Sequence, residues 1–468
     1  MGYCRFFNII LCLVCAGLML VTCDKSPEIQ VSSGFLITID AFPEDTVTID
    51  ITTGVEWTVT VIHPDEEWLT VSPLSGKGNA TITLDADENP DFTERTALIV
   101  ISGSGVKTDT IKVLQLPDMD ISEKILDDAF REYCLTEFDN DPKDDKISTR
   151  EARSVIEIKA GRLNIRSLAG IEYFTNLTKL NCRDNDIESL DVSKNLALRE
   201  LNCYNNSIKT LNLSSNIELR NLECSYNPIN HIDVSGLTRL TDLFIHSADL
   251  TEIDVSNNTR LMWLAVSNNK ISNIDVTNNK ELQGLECNEN GLDDLNVSGN
   301  IQLRTLYCGN NNLRRLIVEN NTVLTQLYCN NNQLDNVNLS NNTALQSLNC
   351  SNNSFNVLNL TNCHNLTELY CSGNHLLTLS LSTNTELKQL HCDGNQLTAI
   401  DLSNNTKLEG FRCTKNNLPN EINISKNNRL TYIELQNNPN LVTIYVWPGF
   451  IDNDNYKKDK DARWVKVP

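Results

Sequence analysis

The sequence predicts a chain of two parts, a small antiparallel β-sandwich followed by a long solenoid built on a parallel β-sheet. Two observations lead to this prediction. From about residue 30 to residue 117, short segments alternate apolar with polar residues between Gly, Pro, Asn and Asp, which is typical of sandwich strands. From Cys182 onward a cysteine recurs every 21 residues, and self-similarity at such a period indicates a solenoid. The length of 468 residues accommodates both parts.

The first 22 residues have the character of an export signal. A single charge, Arg5, precedes the apolar run Phe6–Val21. This run is short for a membrane-spanning helix and suits the core of a signal peptide. We therefore expect a signal peptide over residues 1–22 and a tether over residues 23–30.

The end of the signal carries a second pattern. Leu20-Val21-Thr22-Cys23 resembles the lipobox of bacterial lipoproteins, although Thr22 stands where Gly, Ala or Ser is usual. The resemblance implies that Cys23 is lipidated and becomes the mature N-terminus; an ordinary cleaved signal or a short membrane anchor is the alternative. We expect an exported chain, lipid-anchored in the outer membrane at the cell surface, that contacts the membrane only through this lipid.

Residues 31–117 are the predicted sandwich. The expected strands are Phe35–Ile39, Val47–Ile51, Trp57–Val61, Ala80–Leu84, Ala97–Ile101 and Thr110–Leu114. The stretch Trp68-Leu69-Thr70-Val71-Ser72-Pro73, with Arg95 and Gln115, resembles the BACON domain, a module of exported Bacteroidetes proteins. The resemblance implies an Ig-like sandwich with a carbohydrate-binding role or a spacer role, and we favour the spacer. Trp57 and Trp68 then pack in the core rather than stack on sugar.

Residues 118–157 are predicted to form a helical joint. Ser122–Tyr133 has an apolar stripe at helical spacing. The acidic segment that follows resembles a degenerate EF-hand loop: it is one residue too long, Asp145 replaces the turn glycine, and Pro142 is inserted. The resemblance implies a possible calcium site, the alternative being a solvated acidic linker. Its candidate ligands are Asp139, Asp141, Asp144, Ser148 and Glu151.

The repeats occupy residues 158–446, and residues 447–468 are expected to form a C-terminal cap. Each repeat follows the template L-x-C-x-x-N-x-L-x-x-L-x-[VL]-S-x-N-x-x-L-x-x. This is the pattern of a leucine-rich repeat, and we count about fourteen turns with a parallel sheet on the concave face. The template asparagine recurs from Asn185 to Asn438 with one exception, Ala248. Its side chain is expected to satisfy backbone groups at the bend.

The periodic cysteines are predicted to be buried, free and inert. In an exported chain many cysteines usually indicate disulfides. Here the Cα–Cβ bonds of cysteines on neighbouring strands point in parallel directions, which disfavours a disulfide between them. Packing in the core therefore explains the periodic cysteines better than disulfide formation does. A cysteine column at this period resembles the cysteine ladder of the internalin J family of bacterial surface adhesins, and such arrays are similar to surface lipoproteins of gut Bacteroidetes.

The concave face is the predicted ligand-binding surface. Strand positions other than Leu and Cys point outward there, and aromatic residues cluster among them. The alternative for stacked tyrosines is that they only stabilise neighbouring strands. Template breaks at Leu237, Ile245, Ala248 and Val266 surround the first two members of the set. The candidate ligand-binding residues are Phe244, Trp263, Tyr307, Tyr328, Tyr370 and His391.

Charge and motifs exclude several functions. Asp and Glu number 61 against 39 Lys and Arg, a net charge of −22, which argues against nucleic acid or an anionic membrane surface as partner. The sequence has no P-loop, GxGxxG or HExxH motif, and only His391 with Asp393 offers a conceivable catalytic dyad. We predict a non-enzyme with no cofactor apart from the possible Ca²⁺.

These observations together predict a surface-tethered, monomeric, adhesin-like recognition protein. It would bind a host protein or a glycan through the concave face of the repeats. One alternative is a structural stalk of the cell envelope with no ligand. Another is a module that targets a separate carbohydrate-degrading enzyme to its glycan.

Overall fold

The computed structural model describes residues 29–467, apart from residues 33, 35, 42, 44, 45, 65, 92, 141 and 142. The predicted signal peptide, Cys23 and Asp141 lie outside the described residues. Within the described part, no helix has the length and apolar character needed to cross a membrane. The described residues divide into two compact units, one that ends at Met119 and one that begins at Asp120.

The first unit is a sandwich of two β-sheets. One sheet has the strand order β1-β3-β7-β5 and the other β2-β9-β8-β4-β6; all pairs are antiparallel except β2 with β9. Alternate residues of both sheets, such as Ile49, Ile82 and Ile99, are fully buried between them. The strands are β1 (Gln30–Val31), β2 (Leu36–Ile39), β3 (Val47–Thr52), β4 (Glu56–Ile62), β5 (Leu69–Ser72), β6 (Ser75–Lys77), β7 (Ala80–Ala86), β8 (Arg95–Gly103) and β9 (Asp109–Gln115).

Both tryptophans of the sandwich belong to its core. Trp57 and Trp68 are buried, and the Trp57 indole Nε1 donates a hydrogen bond of 2.9 Å to the Gly78 carbonyl. The Arg95 guanidinium lies 5.0 Å from the Trp68 ring centre and donates to the Gln115 side chain at 2.8 Å. Since neither ring is exposed, the two tryptophans pack in the core and offer no platform for a sugar.

The segment after the sandwich corrects one sequence expectation. The sequence predicts a single helix over Ser122–Tyr133, but the structure has a short 3₁₀ turn at Ser122–Lys124 and then α1 (Asp128–Glu137). The helix begins late because the Asp127 carboxylate accepts a hydrogen bond of 3.0 Å from the Phe130 backbone N–H, which makes Asp127 the N-cap.

The same segment closes the N-terminal end of the solenoid. Ile125, Phe130 and Cys134 belong to one apolar core with the repeats. The second oxygen of Asp127 accepts from the backbone N–H of Arg166 at 2.8 Å, inside the first repeat. The segment that the sequence suggested as a joint is thus packed on the repeats, and it includes a second helix, α2 (Thr149–Ser154).

Fifteen parallel strands form the sheet of the solenoid, close to the fourteen turns that the sequence predicts. They are β10 (Glu157–Lys159), β11 (Lys179–Asn181), β12 (Glu200–Asn202), β13 (Asn221–Glu223), β14 (Asp242–Phe244), β15 (Trp263–Ala265), β16 (Gly284–Glu286), β17 (Thr305–Tyr307), β18 (Gln326–Tyr328), β19 (Ser347–Asn349), β20 (Glu368–Tyr370), β21 (Gln389–His391), β22 (Gly410–Arg412), β24 (Tyr432–Glu434) and β26 (Tyr456–Lys457). A second sheet of three parallel strands accompanies the last turns. Its members are β23 (Glu421–Asn423), β25 (Thr443–Val446) and β27 (Arg463–Lys466).

The cysteine column lies inside the solenoid. All twelve cysteines in the described part of the chain are free and buried. Burial raises the pKa of Cys182, Cys287 and Cys329 to about 12, because a thiolate cannot be solvated in an apolar core. The side chains therefore act as small apolar residues that let successive turns stack closely.

Asparagine side chains connect each turn to the one before it. The Asn311 amide donates to the carbonyls of Cys308, in its own turn, and Cys287, in the preceding turn, at 3.1 and 3.0 Å. Its oxygen accepts from the Leu292 backbone N–H at 3.1 Å. Asn206, Asn227, Asn353 and Asn374 repeat this pattern. The backbone N–H and C=O groups of the bends, which lie outside the sheet, find their hydrogen-bond partners in this way.

The exception at Ala248 changes the backbone of the turn before it. Elsewhere the amide oxygen of the next asparagine binds a backbone N–H, as Asn227 does for Ile208 at 3.0 Å. Ala248 has no such oxygen, and the Ile229 N–H donates instead to the Asn227 carbonyl at 2.8 Å. The following residue, Asn230, adopts a left-handed conformation with φ of 52°. The break in the template is therefore a local change of conformation as well as of sequence.

We predict that Asn311→Ala lowers the free energy of unfolding by about 2 kcal/mol, because it leaves buried backbone groups without partners. Asn312→Ala is the matched control, since the Asn312 side chain is exposed, and it should change stability by less than about 0.5 kcal/mol. Denaturant unfolding measures both variants. Equal effects of the two would contradict the structural role of the asparagine column.

The buried thiols make the free energy of unfolding depend on pH in the alkaline range. In the unfolded chain a thiol has a pKa of about 8.5, whereas Cys329 keeps its proton in the fold to about pH 12. Between these values the unfolded state binds fewer protons than the folded state, so stability falls as pH rises, by at most about 1.4 kcal/mol per pH unit for each such thiol. We expect Cys329→Ala to reduce the loss of unfolding free energy between pH 9 and 11 and to leave the change between pH 6 and 8 as in the parent. An unaltered loss at alkaline pH would rule out this thiol as its source.

Candidate ligand-binding face of the solenoid

The outward surface of the long sheet consists of three columns of side chains. In each three-residue strand the middle residue is buried, and the first and third residues point outward. The residue two positions after the third also points outward and forms the last column. We call these the first, third and fifth columns, and the surface they form the strand face. Because the strands pair in register, side chains in one column are neighbours.

Tyr307 and Tyr328 are stacked in the third column. Their ring centres lie 4.7 Å apart with an angle of 23° between the planes. The Tyr307 hydroxyl donates to the Gln326 side chain, and the Tyr328 hydroxyl lies 3.2 Å from the Ser347 hydroxyl. Burial raises the pKa of the Tyr307 hydroxyl, and the nearby Tyr328 and Glu286 side chains raise it further. The pair is half-buried and held by its neighbours, so it is a rigid part of the face.

Tyr370 and His391 form a second aromatic pair in the same column. Their rings meet edge to face, with centres 4.9 Å apart. Burial and the nearby Arg412 guanidinium lower the pKa of His391. The Asp393 carboxylate accepts from the Thr414 backbone N–H and hydroxyl at 2.9 Å and pairs with Arg412 at 3.3 Å. The Asp393 carboxylate, which is the acid of the conceivable dyad with His391, is thus bound to Thr414 and Arg412.

Phe244 and Trp263 lie on neighbouring strands but in different columns. Phe244 is in the third column and Trp263 in the first, where the register pairs it with Asp242. No ring contact joins them among the residues that the structure describes. The Trp263 indole instead packs on Gly284 of the next strand, where a Cβ atom would lie 2.6 Å from the ring. Both aromatic side chains are half-buried.

Sequence reasoning missed a polar hollow at the N-terminal end of the strand face. It has a volume of about 550 Å³ and extends across β10 to β14, where Phe244 forms one edge. Ion pairs of 2.8 Å join Lys159 to Glu157 and Lys179 to Glu200 within it. The signal for it in the sequence is the run of charged residues in the outward columns of β10 to β12.

The acidic loop uses its carboxylates for backbone hydrogen bonds. Glu151 is buried, and its two oxygens accept from the backbone N–H groups of Asn140 and Ser148 at 2.9 Å each. Asp139 accepts from the backbone N–H groups of Asp144 and Asp145 at 3.1 and 3.0 Å.

Ser148 completes a capping box for α2 with Glu151. Within the described part of the chain, no three His, Cys, Asp or Glu side chains are grouped to hold a metal ion. Asp141 lies outside that part, and calcium binding stays a prediction of the sequence.

Comparison with known proteins agrees with both units. Residues 56–116 match the BACON family, described as "Putative binding domain, N-terminal". A search of curated proteins gives no match. Among solved structures, InlF from Listeria monocytogenes is 24% identical, with 74% of this chain and 97% of InlF covered and a TM-score of 0.54. The repeats, the parallel sheet and this likeness define a leucine-rich repeat protein.

A second solved structure identifies the family more closely. The functional domain of InlJ from Listeria monocytogenes includes a cysteine ladder and is 30% identical to this chain. The match covers 70% of this chain and 77% of the InlJ chain, with a TM-score of 0.65. The chain belongs to the family of cysteine-ladder leucine-rich repeat proteins that includes InlJ.

We predict that Gly284→Ala displaces the Trp263 ring, because the added methyl group would overlap it, and that it costs about 1–3 kcal/mol of stability. The change is measured as the tryptophan emission spectrum of Gly284→Ala compared with the parent, with Trp263→Phe identifying the contribution of this ring. Gly236→Ala is the matched control, since its Cβ would have no neighbour within 4 Å. Unchanged emission in Gly284→Ala would disprove the contact.

Proposed function

We propose that the protein is a non-catalytic recognition protein that binds its ligand through the strand face. The observation on which this depends is the row of half-buried aromatic residues in the third column, which runs from Tyr307 to His391. Large rings with few rotatable bonds and a polar edge are effective contact groups because little conformational entropy is lost on binding. A leucine-rich repeat scaffold together with a BACON domain is an arrangement suited to recognition.

The chemistry of the face supports a role in binding without catalysis. Solenoids of this class are typically binding scaffolds. The Asp393 carboxylate, which would have to orient His391 in a dyad, is instead hydrogen-bonded to Thr414 and paired with Arg412. A general base needs an orienting partner and a nucleophile within hydrogen-bond distance. The proposed role therefore requires binding alone.

The location that we propose follows from the N-terminal sequence. The signal-like residues 1–22 and Cys23 are consistent with an exported protein that a lipid holds at the outer membrane, exposing the repeats at the cell surface as an adhesin would. In this arrangement the sandwich acts as a spacer between the anchor and the repeats. The ligand would be a protein or a glycan of the host or of the cell surface.

The proposal predicts that the full chain binds mucin or members of a glycan panel, and that replacing Phe244, Trp263, Tyr307 and Tyr328 by Ala weakens binding at least tenfold. Each lost aromatic contact removes apolar contact area in the centre of the face. Binding is measured by surface plasmon resonance, with circular dichroism to verify folding.

The matched control carries Ile217→Ala and Ile301→Ala, which remove exposed apolar side chains outside the strand face. This variant should bind as the parent does. Binding that is indifferent to the four aromatic changes would exclude the strand face as the site. A parent that binds none of these ligands would favour the structural stalk.

A further inference from the structure

The carboxylates of the strand face fall into two groups. Near both ends of the sheet they form ion pairs within the face, as Glu200 does with Lys179 at 2.8 Å and Glu434 with Arg412 at 3.2 Å. Along the middle of the sheet they do not. Among the described residues, no Lys or Arg nitrogen lies within 4 Å of the carboxylates of Glu223, Asp242, Glu286 and Glu368.

The middle of the face also lacks basic residues in its columns. From β13 to β21 the first, third and fifth columns contain no Lys or Arg. Arg220, Arg304 and Lys388 stand one residue before their strands and outside these columns. The His246 Nε2, in the fifth column of β14, lies 3.9 Å from a Glu286 carboxylate oxygen. We call this region, β13 to β21, the acidic stretch.

Two of these carboxylates stand beside the aromatic pairs. The register places Glu286 next to Tyr307 in the third column, on the side opposite Tyr328. Glu368 lies on the same strand as Tyr370. Burial raises the pKa of the Tyr370 hydroxyl, and the Glu368 carboxylate raises it further. A carboxylate next to a tyrosine ring is the combination that binds a Lys or Arg side chain, through an ion pair and a cation–π contact.

The same geometry disfavours a neutral sugar as the ligand of this region. Sugar rings stack on free aromatic faces, and one face each of Tyr307 and Tyr328 is covered by the other. The hydroxyl groups of both are engaged with Gln326 and Ser347. What stays available is a line of carboxylates, which suits a positively charged partner.

We propose that the acidic stretch binds an extended segment of a partner protein that carries Lys or Arg side chains. The inference rests on the proposed function, because it uses the same face, and it specifies the chemistry of the ligand. Glu286 and Glu368 are four strands apart, about 19 Å at ~4.8 Å per strand. About six extended residues span that distance at ~3.3 Å each, which a single small cation cannot do. The net charge of −22 would also attract such a segment from a distance.

The experiment uses the full chain and two fluorescently labelled probe peptides, one of alternating Gly and Arg and the other of alternating Gly and Glu. The test variant carries Glu286→Gln and Glu368→Gln. The matched control carries Glu252→Gln and Glu281→Gln, two exposed carboxylates outside the three columns, so that both variants have the same net charge. Fluorescence anisotropy measures binding at two salt concentrations.

We expect the parent and the control to bind the arginine peptide equally, and the test variant to bind it at least tenfold more weakly. Binding should weaken as salt rises, because salt screens exposed charges, and the glutamate peptide should not bind. Equal weakening in both variants would overturn the inference, since it would mean that only the net charge matters. Binding of the glutamate peptide, or no binding of the arginine peptide, would also overturn it.

The outcome is separable from that of the proposed function. If the aromatic variant loses mucin or glycan binding while the test variant binds the arginine peptide as the parent does, the recognition role stands and this inference fails. If the test variant loses a glycan ligand and keeps the peptide, the carboxylates bind sugar hydroxyl groups and the inference again fails. If the aromatic changes leave every ligand unaffected while the test variant loses the arginine peptide, the inference about these carboxylates holds and the aromatic site of the proposed function fails.

Discussion

The solenoid depends on the hydrogen bonds that asparagine side chains make with the backbone of two successive turns. The strands are only three residues long, so the sheet alone cannot satisfy the bends on either side of it. The Asn311 amide serves one carbonyl in its own turn and one in the previous turn, and its oxygen accepts a third backbone bond. Folding of each turn therefore requires its neighbour, which makes the array cooperative along its axis.

This constraint determines what else a turn can contain. The column inside the turns must be apolar, and cysteine meets that requirement without a hydroxyl group that would need its own partner. Ile245 and Val266 meet it as well, since the Asn269 amide still binds the carbonyls of both. The buried positions are consequently apolar with few exceptions to the template, such as Ile245, Ala248 and Val266, and most of the variation lies in the three outward columns. This regular apolar interior allows a chain with few aromatic residues to place its six candidate contact groups on one surface.

Much of the repeat region could be predicted because its period fixes the register. Once Leu180 and Cys182 are known to point inward, the positions of Tyr307, Tyr328 and Tyr370 on the face follow by counting. The N-terminal cap has no period, and there the start of α1 depended on a single side-chain hydrogen bond of Asp127. The charged residues that line the polar hollow across β10 to β14 could be located by counting columns, but its shape could not, since a hollow arises from side-chain lengths and ion pairs rather than from spacing. The conformational change before Ala248 likewise appears only when the missing amide bond is located.

The strict stacking of turns has a consequence for how the face can evolve. Since each turn contacts only its neighbours, a whole turn can be gained or lost while the remaining interior stays intact. Such an event would shift all the side chains on one side of it by one strand spacing, about 4.8 Å, relative to those on the other side. The distance between two contact groups in one column, such as Glu286 and Glu368, is therefore limited to multiples of that step. A ligand whose own repeat differs from it can be matched by changing the number of turns between contacts.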